Sequence, residues 1–339
     1  MLAARYLGPN RLEPHEVPIP VLSEEEALLK VEACGFCGSD LSIVSGVHPR
    51  ARAPLTLGHE FCGTIAEIRS TSSPFQEGDL VTAIPLISCG HCYVCRNGMP
   101  HVCRTLRLYG FDADGAMAEF VRLPVGSLLK LPASLSSLAG AVIEPLAVAV
   151  HGVTLAPIDS ASTAVVMGAG PIGLLTALVA KSRGVPSVVI SDILPSRLAL
   201  ARKLGLRTAS AGEELQELVN QETAGDGADL VFECVGAPST GEAMTKLARS
   251  RGTIVDLGVF KKPVEIDMQS VNFKEIILRG SRVYTRRDFE SAICLAPSLP
   301  IREIVTSTFP LQEVQAAFEC FRKGSEVCKV LILPNGATE

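Results

Sequence analysis

A glycine-rich turn between an apolar strand and a helix constrains the fold of this chain most. The apolar run Val165–Met167 leads into a G-x-G-x-x-G sequence at Gly168–Gly173. The first glycine permits a tight turn, the second lets backbone N–H groups approach a pyrophosphate, and the third lets the next helix pack closely on the strand. The helix N-terminus also carries partial positive charge toward phosphates. We expect dinucleotide contacts from Gly168, Gly170, Pro171, Ile172 and Gly173.

The sequence after His151 repeats this strand–helix unit. The predicted buried strands are Thr163–Met167, Ser187–Ser191, Leu230–Glu233 and Thr253–Leu257. Helix-length segments lie between them, at Ile172–Arg183, Ser196–Leu204, Glu213–Glu222 and Thr240–Arg249. Such alternation predicts βαβ units and a parallel sheet covered on both faces. We therefore expect a doubly wound Rossmann domain over residues 151–289.

Asp192 follows the second predicted strand, 19 residues beyond Gly173. A carboxylate near this spacing binds the adenosine ribose hydroxyls, and its charge repels the 2′-phosphate of NADP. The sequence therefore favours NAD as cofactor, although Arg197 follows within a turn and works against that preference. The alternative is a purely structural glycine turn with a surface aspartate.

Residues 1–150 have a β-rich and irregular pattern. Short apolar or alternating runs are separated by Gly and Pro, as in all-β architecture; they are Val17–Pro20, Ala27–Ala33, Gly63–Ile68 and Leu80–Ile84. Near the end of the chain, Leu311–Phe321 has the apolar spacing of a helix and Val327–Leu333 that of a strand.

Four cysteines form a C-x2-C-x2-C-x7-C sequence in one loop, at about residues 86–104; they are Cys89, Cys92, Cys95 and Cys103. Four thiolates suit a closed tetrahedral zinc site, which is structural because no coordination position remains for substrate. His91 and His101 lie in the same loop, so a histidine replacing one thiolate is an alternative, and free loop thiols are another. The chain has eleven cysteines and no evident secretion signal, which favours reduced thiols over disulfides.

A second set of potential metal ligands is spread along the chain. Cys37 lies in the sequence Cys-Gly-Ser-Asp, and His59 and Glu60 lie in Gly-His-Glu. Neither fragment is diagnostic alone, because a buried cysteine is usually a core residue and a lone histidine is usually a hydrogen-bonded polar group. Spacing does not unite residues so far apart.

The motifs together resemble the zinc-containing medium-chain dehydrogenase/reductase family, and especially its polyol dehydrogenase branch. The resemblance covers nearly the whole chain and rests on Cys37–Asp40, Gly58–Glu60, the four cysteines, Glu144–Gly152, the glycine-rich turn and Asp192. It implies an α/β chain with a GroES-like β-rich catalytic domain at residues 1–150, completed by residues 290–339, beside the Rossmann domain.

The resemblance also implies a second, catalytic zinc. Cys37 and His59 would bind it, Glu60 would bind it directly or through water, and Glu144 would present a second acid. Asp40 would orient His59, and Ser39 would accept the substrate proton. Many relatives carry a histidine just after the Cys-Gly-Ser-Asp sequence, where this chain has Leu41–Ile43. His48 or water then ends the proton relay.

Further contacts are expected at the carboxyl ends of two predicted strands, where cofactors bind in such sheets. Backbone near the nicotinamide would come from Cys234, Val235, Leu257 and Val259, or these are simple strand-to-loop connections. Arg50 and Arg52 would bind an acidic or phosphorylated substrate, or are solvated loop residues. Segment 280–284 would approach the cofactor or a neighbouring subunit.

The resemblance implies NAD-linked, zinc-dependent oxidation of a secondary alcohol in a polyol or vicinal diol. The alternatives are an L-threonine 3-dehydrogenase, a sugar-phosphate dehydrogenase of the galactitol-1-phosphate type, and a zinc-free, NADPH-binding crystallin-like protein. A net charge of −5 with no basic stripe argues against a nucleic-acid partner or a regulator with a zinc finger. Glu144, Pro145, His151 and Pro157 interrupt the longest apolar stretch, so we expect no membrane span and a cytoplasmic protein. The family resemblance implies a homodimer or homotetramer.

Overall fold

The computed structural model describes residues 1–324 and 327–336. Its strands are β1 Leu2–Gly8, β2 Arg11–Glu16, β3 Glu26–Gly35, β4 Leu55–Thr56, β5 Glu60–Arg69, β6 Leu80–Ala83, β7 Leu86–Ile87, β8 Arg107–Leu108, β9 Phe120–Pro124, β10 Leu128–Lys130, β11 Thr163–Met167, β12 Ser187–Asp192, β13 Arg207–Ser210, β14 Ala228–Glu233, β15 Ala248–Asp256, β16 Ile277–Gly280, β17 Val305–Pro310 and β18 Lys329–Leu333. Its α-helices are α1 Gly38–Val44, α2 Tyr93–Arg96, α3 Ser137–Gly140, α4 Ile143–Thr154, α5 Pro171–Ser182, α6 Pro195–Lys203, α7 Glu213–Glu222, α8 Pro238–Leu247, α9 Met268–Phe273, α10 Arg286–Leu295 and α11 Val314–Lys323. Single 3-10 turns lie at Pro100–Val102, Val125–Ser127, Ile158–Ser160, Ala296–Ser298, Ile301–Ile304 and Leu311–Glu313.

The chain divides into two compact units. The first comprises Met1–Glu144 and Thr285–Glu339, and the second comprises Pro145–Tyr284. The boundary predicted at residue 150 falls inside α4, whose apolar sequence has no break there. Segment 290–339 was predicted to complete the first domain. Within it, residues 325–326 and 337–339 lie outside the described part of the chain.

The second unit is built on a parallel sheet with strand order β13-β12-β11-β14-β15-β16. Its central strands are mostly apolar, with polar residues near their ends, because helices cover such sheets on both faces. The core of one face includes Val165, Val189, Val231 and Ile254. The predicted strands and helices of this unit lie within a few residues of the observed ones. The short strands β13 and β16 were not predicted, since neither has a long apolar run.

The first unit is built on a mixed sheet in which β10-β6-β5-β3-β18-β17 are successive neighbours and β9 also pairs with β3. Strand β3 lies at the centre of this sheet. It pairs with β5 through nine residue pairs, and β-bulges shift the register between them. The predicted strand at Val17–Pro20 is wrong, because β2 ends at Glu16. Pro18 and Pro20 have no N–H group to donate to a ladder.

The C-terminal segment returns to this first sheet. Strand β18 pairs antiparallel with the end of β3, through Leu331 with Gly35 and Ile332 with Cys34. The predicted helix at 311–321 begins as a 3-10 turn and continues as α11, which ends at Gly324 in a left-handed conformation. Phe318 and Phe321 of α11 pack against Phe36, with ring centroids 5.8 and 5.5 Å away. This packing fixes the end of β3, where the candidate site begins.

Candidate active site

A buried cluster forms where β3 and β5 meet. The antiparallel register pairs Gly35 with Glu60. Cys37 lies two residues after Gly35 and His59 lies one residue before Glu60, so both are next to this pair. The ligand atoms of Cys37, His59 and Glu60 all lie within 4.8 Å of one another. Gly58 has φ +98°, and a Cβ there would lie 2.5 Å from the Cys34 sulfur. Glycine is therefore required for the turn that delivers His59.

Lys329 is a member of this site that the sequence analysis missed. Its ammonium donates to the Phe36 carbonyl at 2.9 Å and forms an ion pair with Glu60 Oε2. The two side chains are only 2% and 3% exposed. The sequence contains one sign of this ion pair, a lysine at the start of the otherwise apolar strand β18. A buried ammonium group requires a counter-charge.

The cluster has the chemistry of a zinc site. Thiolate, imidazole and carboxylate are all zinc ligands, and His59 and Glu60 are only 4% and 2% exposed. Burial raises the pKa of the Cys37 thiol, and the charge of Asp40 adds to that effect. A bound cation would stabilise the thiolate in this setting, so the residues present fit the metal.

Asp40 lies buried behind His59. One carboxylate oxygen accepts the Cys37 backbone N–H at 2.9 Å. The other oxygen and His59 Nδ1 are both buried and have no hydrogen-bond partner within residues 1–324 and 327–336. Burial raises the pKa of Asp40, and the charge of His59 opposes that shift. The orienting role of Asp40 stays a prediction.

Glu144 stands outside the cluster of three ligands. It lies in the first turn of α4 and is 5% exposed. Its predicted role as a second acid for the metal stays a prediction. Ser39, in the first turn of α1, lies beside Cys37 and opposes the rise of the thiol pKa.

His48 is connected to the cluster through an aromatic ring. Phe111 stacks on His48 with centroids 5.3 Å apart and also contacts the His59 ring at 4.9 Å. The backbone N–H of Ala51 donates to His48 Nδ1 at 3.0 Å. This bond leaves Nε2 to carry the proton of the neutral ring. Partial burial, and then the charge of Arg50, lower the pKa of His48.

Arg50 and Arg52 bind their own surroundings. Arg50 donates to the Leu106 carbonyl and lies 3.5 Å from Asp112. Arg52 donates to the carbonyls of Ala51 and Pro49 at 3.1 and 3.0 Å. Both guanidinium groups therefore bind loop carbonyl groups, which neither the predicted binding of an anionic substrate nor the alternative of solvated loop residues had included.

The four cysteines of the 86–104 loop form a second cluster. Their sulfur atoms all lie within 4.8 Å of one another. Strands β7 and β8 close the loop at its base, and α2 places Cys92 and Cys95 one turn apart, with sulfurs at 3.5 Å. His91 instead contacts the Cys89 carbonyl through Nδ1 at 2.8 Å.

The thiol pKa values in this cluster are split. Backbone N–H groups of Arg104 and Cys95 lower the pKa of Cys92 to about 6, and the N–H of Cys89 lowers that of Cys103 to about 7. Burial and the neighbouring thiols raise the pKa of Cys95 to about 12. Four thiolates this close repel one another without a cation, so the cluster fits a structural zinc.

The glycine-rich turn joins β11 to α5 in the second unit. Gly168 has φ +97°, and a Cβ on Gly173 would lie 1.7 Å from the Gly168 carbonyl oxygen. Gly170 caps α5 and Pro171 is its first residue. Both features are those of a phosphate-binding helix start.

Asp192 is tied to this turn. Its Oδ2 accepts the backbone N–H of Ala169 at 2.8 Å, and its Oδ1 accepts that of Leu194 at 2.9 Å. Arg197 Nη1 lies 3.5 Å from Oδ2. These contacts fix the Asp192 carboxylate next to the glycine-rich turn, with the Arg197 guanidinium group beside it.

The loops after β14 and β15 meet at the same edge of the sheet. Val235 and Val259 are 47% and 81% exposed, and their contact with the nicotinamide stays a prediction. The Cys234 side chain instead donates to Thr176 of α5, at 3.9 Å, and Leu257 packs against Gly152.

Glu233 and Asp256 organise these loops and were not predicted. Glu233 is fully buried and accepts the backbone N–H groups of Val235 and Gly236 at 3.0 and 2.9 Å. Burial, and then the neighbouring Glu233, raise the pKa of Asp256 to about 6. The sign of this arrangement was the pair of acidic residues Glu233 and Asp256, which occupy paired positions on the adjacent strands β14 and β15.

Comparisons with known proteins bear directly on this arrangement. Residues 23–133 match the alcohol dehydrogenase GroES-like domain, and residues 171–297 match the zinc-binding dehydrogenase domain. A 2-dehydro-3-deoxy-L-galactonate 5-dehydrogenase of Pseudoalteromonas atlantica is 35% identical over 98% of both chains. The chain belongs to the zinc-containing medium-chain dehydrogenase/reductase family. The predicted fold class and oxidoreductase type, with zinc and a nicotinamide dinucleotide as cofactors, are confirmed.

Other members of this family differ in substrate. A sorbitol dehydrogenase of Halalkalibacterium halodurans is 35% identical over 96% of this chain and 97% of its own. An L-threonine 3-dehydrogenase of Bacillus licheniformis is 34% identical over 94% of each. The NADP-bound structure of a zinc-binding dehydrogenase from Sinorhizobium meliloti is 32% identical, with TM-score 0.89 over 98% of this chain and 99% of that one. Among the described residues, no helix is long and apolar enough to cross a membrane.

Proposed function

We propose that this dehydrogenase oxidises a secondary alcohol of a polyol or vicinal diol to the ketone, with NAD as hydride acceptor. The observation that carries the proposal is the buried Cys37–His59–Glu60 cluster, a mixed donor set that suits a zinc with an exchangeable position. A zinc held by these residues would supply a Lewis acid that makes an alcohol more acidic, and NAD would supply the hydride acceptor.

The chain's own residues then have separate tasks. Cys37, His59 and Glu60 hold the metal, directly or, for Glu60, through water. Asp40 orients His59 and fixes its tautomer. Ser39 accepts the proton of the alcohol, and His48 or water passes that proton onward.

The cofactor contacts assigned to this chain follow from the glycine-rich turn. Asp192 accepts two backbone N–H groups and keeps its charge beside the turn, which favours ribose hydroxyls over a 2′-phosphate. Arg197 partly offsets that charge. Asp192→Ala should raise the kcat/KM ratio of NADP over NAD by about tenfold, since one charge contact is removed, whereas Arg197→Ala should lower it.

A substrate panel tests the proposal. Purified enzyme with about two zinc ions per chain is assayed with NAD against stereoisomeric polyols, vicinal diols, sugar acids, sugar phosphates and L-threonine. We expect the highest kcat/KM with a polyol or diol. Preference for a sugar acid, the substrate type named for the galactonate relative, would shift the assignment to that class.

The edge strand β16 bears on assembly. It ends the parallel sheet, and its four residues are all exposed, including Ile277 and Leu278. An unpaired apolar edge is a site for pairing with another chain. We propose a homodimer or homotetramer, which light scattering of the eluted protein will test; a monomer would contradict it.

A further inference from the structure

The Glu233 carboxylate joins the loops that follow β14 and β15. It is fully buried, and it accepts the backbone N–H of Val235 at 3.0 Å and that of Gly236 at 2.9 Å. A Cβ on Gly258 would lie 2.5 Å from the Gly236 nitrogen and would overlap Glu233 Oε2. The two loops therefore pack backbone to backbone around this carboxylate, and the N–H groups that it accepts stabilise its charge.

Asp256 lies beside this carboxylate and has little to compensate its own charge. The parallel register pairs Glu233 with Asp256. Asp256 Oδ1 is buried and has no hydrogen-bond partner within residues 1–324 and 327–336. Within that same part of the chain, neither carboxyl group forms an ion pair. A charge on Asp256 is therefore added to a buried negative charge without a cation from the protein.

Other charged or titratable groups lie on the elements that pack against β15 or against Leu257, the residue after it; they are Arg279 of β16, Glu242 and Lys246 of α8, and His151 of α4. Arg279 donates to the Leu155 carbonyl at 3.0 Å, and the charge of Lys246 acts on Asp267. Burial, and then the charge of Glu233 and a hydrogen bond to it, raise the pKa of Asp256 to about 6, while the Gly258 N–H opposes that rise.

The place of this charge in the sheet indicates its ligand. Cofactors bind at the carboxyl ends of the strands in such sheets, and the loops after β14 and β15 are predicted to lie near the nicotinamide. The nicotinamide ring is a cation in NAD and neutral in NADH, so a nearby carboxylate without a counter-ion attracts the oxidised ring only.

We propose that Asp256 is a specificity-determining residue, whose charge makes the loops after β14 and β15 bind NAD more tightly than NADH. The inference rests on the proposed function, since it presupposes that the nicotinamide binds at these loops. It adds a preference for one oxidation state of the cofactor, which favours the enzyme complex that oxidises an alcohol.

The ratio of two dissociation constants tests the proposal without zinc or substrate. NADH binding is followed by its fluorescence, and NAD binding by competition with NADH, between about pH 5 and about pH 8. Both cofactors share the adenosine half, so contacts at Asp192 and at the glycine-rich turn cancel in the ratio. We expect the affinity for NAD to rise about tenfold relative to that for NADH as the pH passes through about 6, where Asp256 becomes charged.

A charge-neutral variant separates this effect from a structural one. Asp256→Asn keeps a hydrogen-bond donor toward Glu233 and removes the charge. At about pH 8 it should bind NAD about tenfold more weakly and NADH nearly as wild type, with a ratio that no longer depends on pH. Asp226→Asn is the matched control, because it removes a negative charge at an exposed position before the opposite end of β14, and should leave the ratio unchanged. If Asp256→Asn does not fold, Asp256→Ser replaces it, with the same expected ratio.

Two results would overturn the inference. One is a wild-type ratio that is constant with pH, and the other is an Asp256 variant that weakens both cofactors equally, because a merely structural aspartate acts on the loops and not on the ring charge. Failure of the proposed function looks different. In that case the wild-type chain prefers NADP and NADPH, and the same ratio is measured with that pair; binding of neither pair would overturn both proposals.

Discussion

The two cysteine-containing clusters of the first unit are built in opposite ways. The 86–104 loop supplies four sulfurs from one short segment, and backbone N–H groups surround them. The other cluster takes its atoms from the ends of β3 and β5, and its charges are balanced by Lys329 of β18. We expect the local cluster to stabilise its own loop, and the assembled cluster to place different donor types around a reactive position.

Cys37→Ser should have the largest effect and tests the assembled cluster. We expect turnover to fall on the order of 10³-fold, because the metal loses its thiolate ligand. Zinc content should drop from about two to about one per chain, while NAD binding, measured by calorimetry, persists through the separate second unit. Cys294→Ser, at an exposed cysteine, is the control. Normal activity with two zinc ions bound in Cys37→Ser would remove this residue from the catalytic site.

Cys95→Ser tests the local cluster. The loop should lose its zinc and the free energy of unfolding should fall by about 3 kcal/mol, since structural zinc binding contributes to folding. Denaturant unfolding with metal analysis measures both quantities. The remaining folded protein should keep its catalytic zinc. An unchanged stability with one zinc lost would mean that the loop cluster has no structural role.

The contrast also explains what sequence could predict. The spacing of Cys89, Cys92, Cys95 and Cys103 was sufficient to predict the loop cluster, and the alternation of strand- and helix-length segments after His151 was sufficient to predict the parallel sheet. Cys37 and His59 were joined only by family resemblance, because their proximity depends on the β3–β5 register. Lys329 was missed because its partner is 269 residues away, so the lysine at the start of strand β18 indicates a buried ion pair without showing which acid completes it.

Asp40→Asn should have an intermediate effect and sharpens the comparison, because the loop cluster has no equivalent carboxylate. Asparagine keeps the shape and the acceptor for the Cys37 N–H but removes the charge opposite His59. We expect zinc affinity at the catalytic cluster to fall about 10- to 100-fold. Competition with a chelator of known affinity measures this, with Asp267→Asn, a helix cap of the second unit, as control. Equal affinity would show that Asp40 only caps α1.

His48→Gln should have the smallest effect. It tests whether the proton relay of the assembled cluster includes His48. Glutamine can still accept the Ala51 N–H, so the loop should stay folded. Partial burial lowers the pKa of His48, which keeps the ring neutral at pH 7, and the ring can take up a second proton only at Nδ1, in exchange for the Ala51 N–H bond. As the pH falls through that pKa, the ring becomes charged and this route closes. If His48 ends the relay, wild-type kcat/KM declines on the acid side of the profile, and His48→Gln has a value about tenfold lower at neutral pH without that decline. His15→Gln, at an exposed histidine, is the matched control. A His48→Gln profile that coincides with wild type would instead assign the last proton step to water and limit the role of His48 to its contact with Phe111.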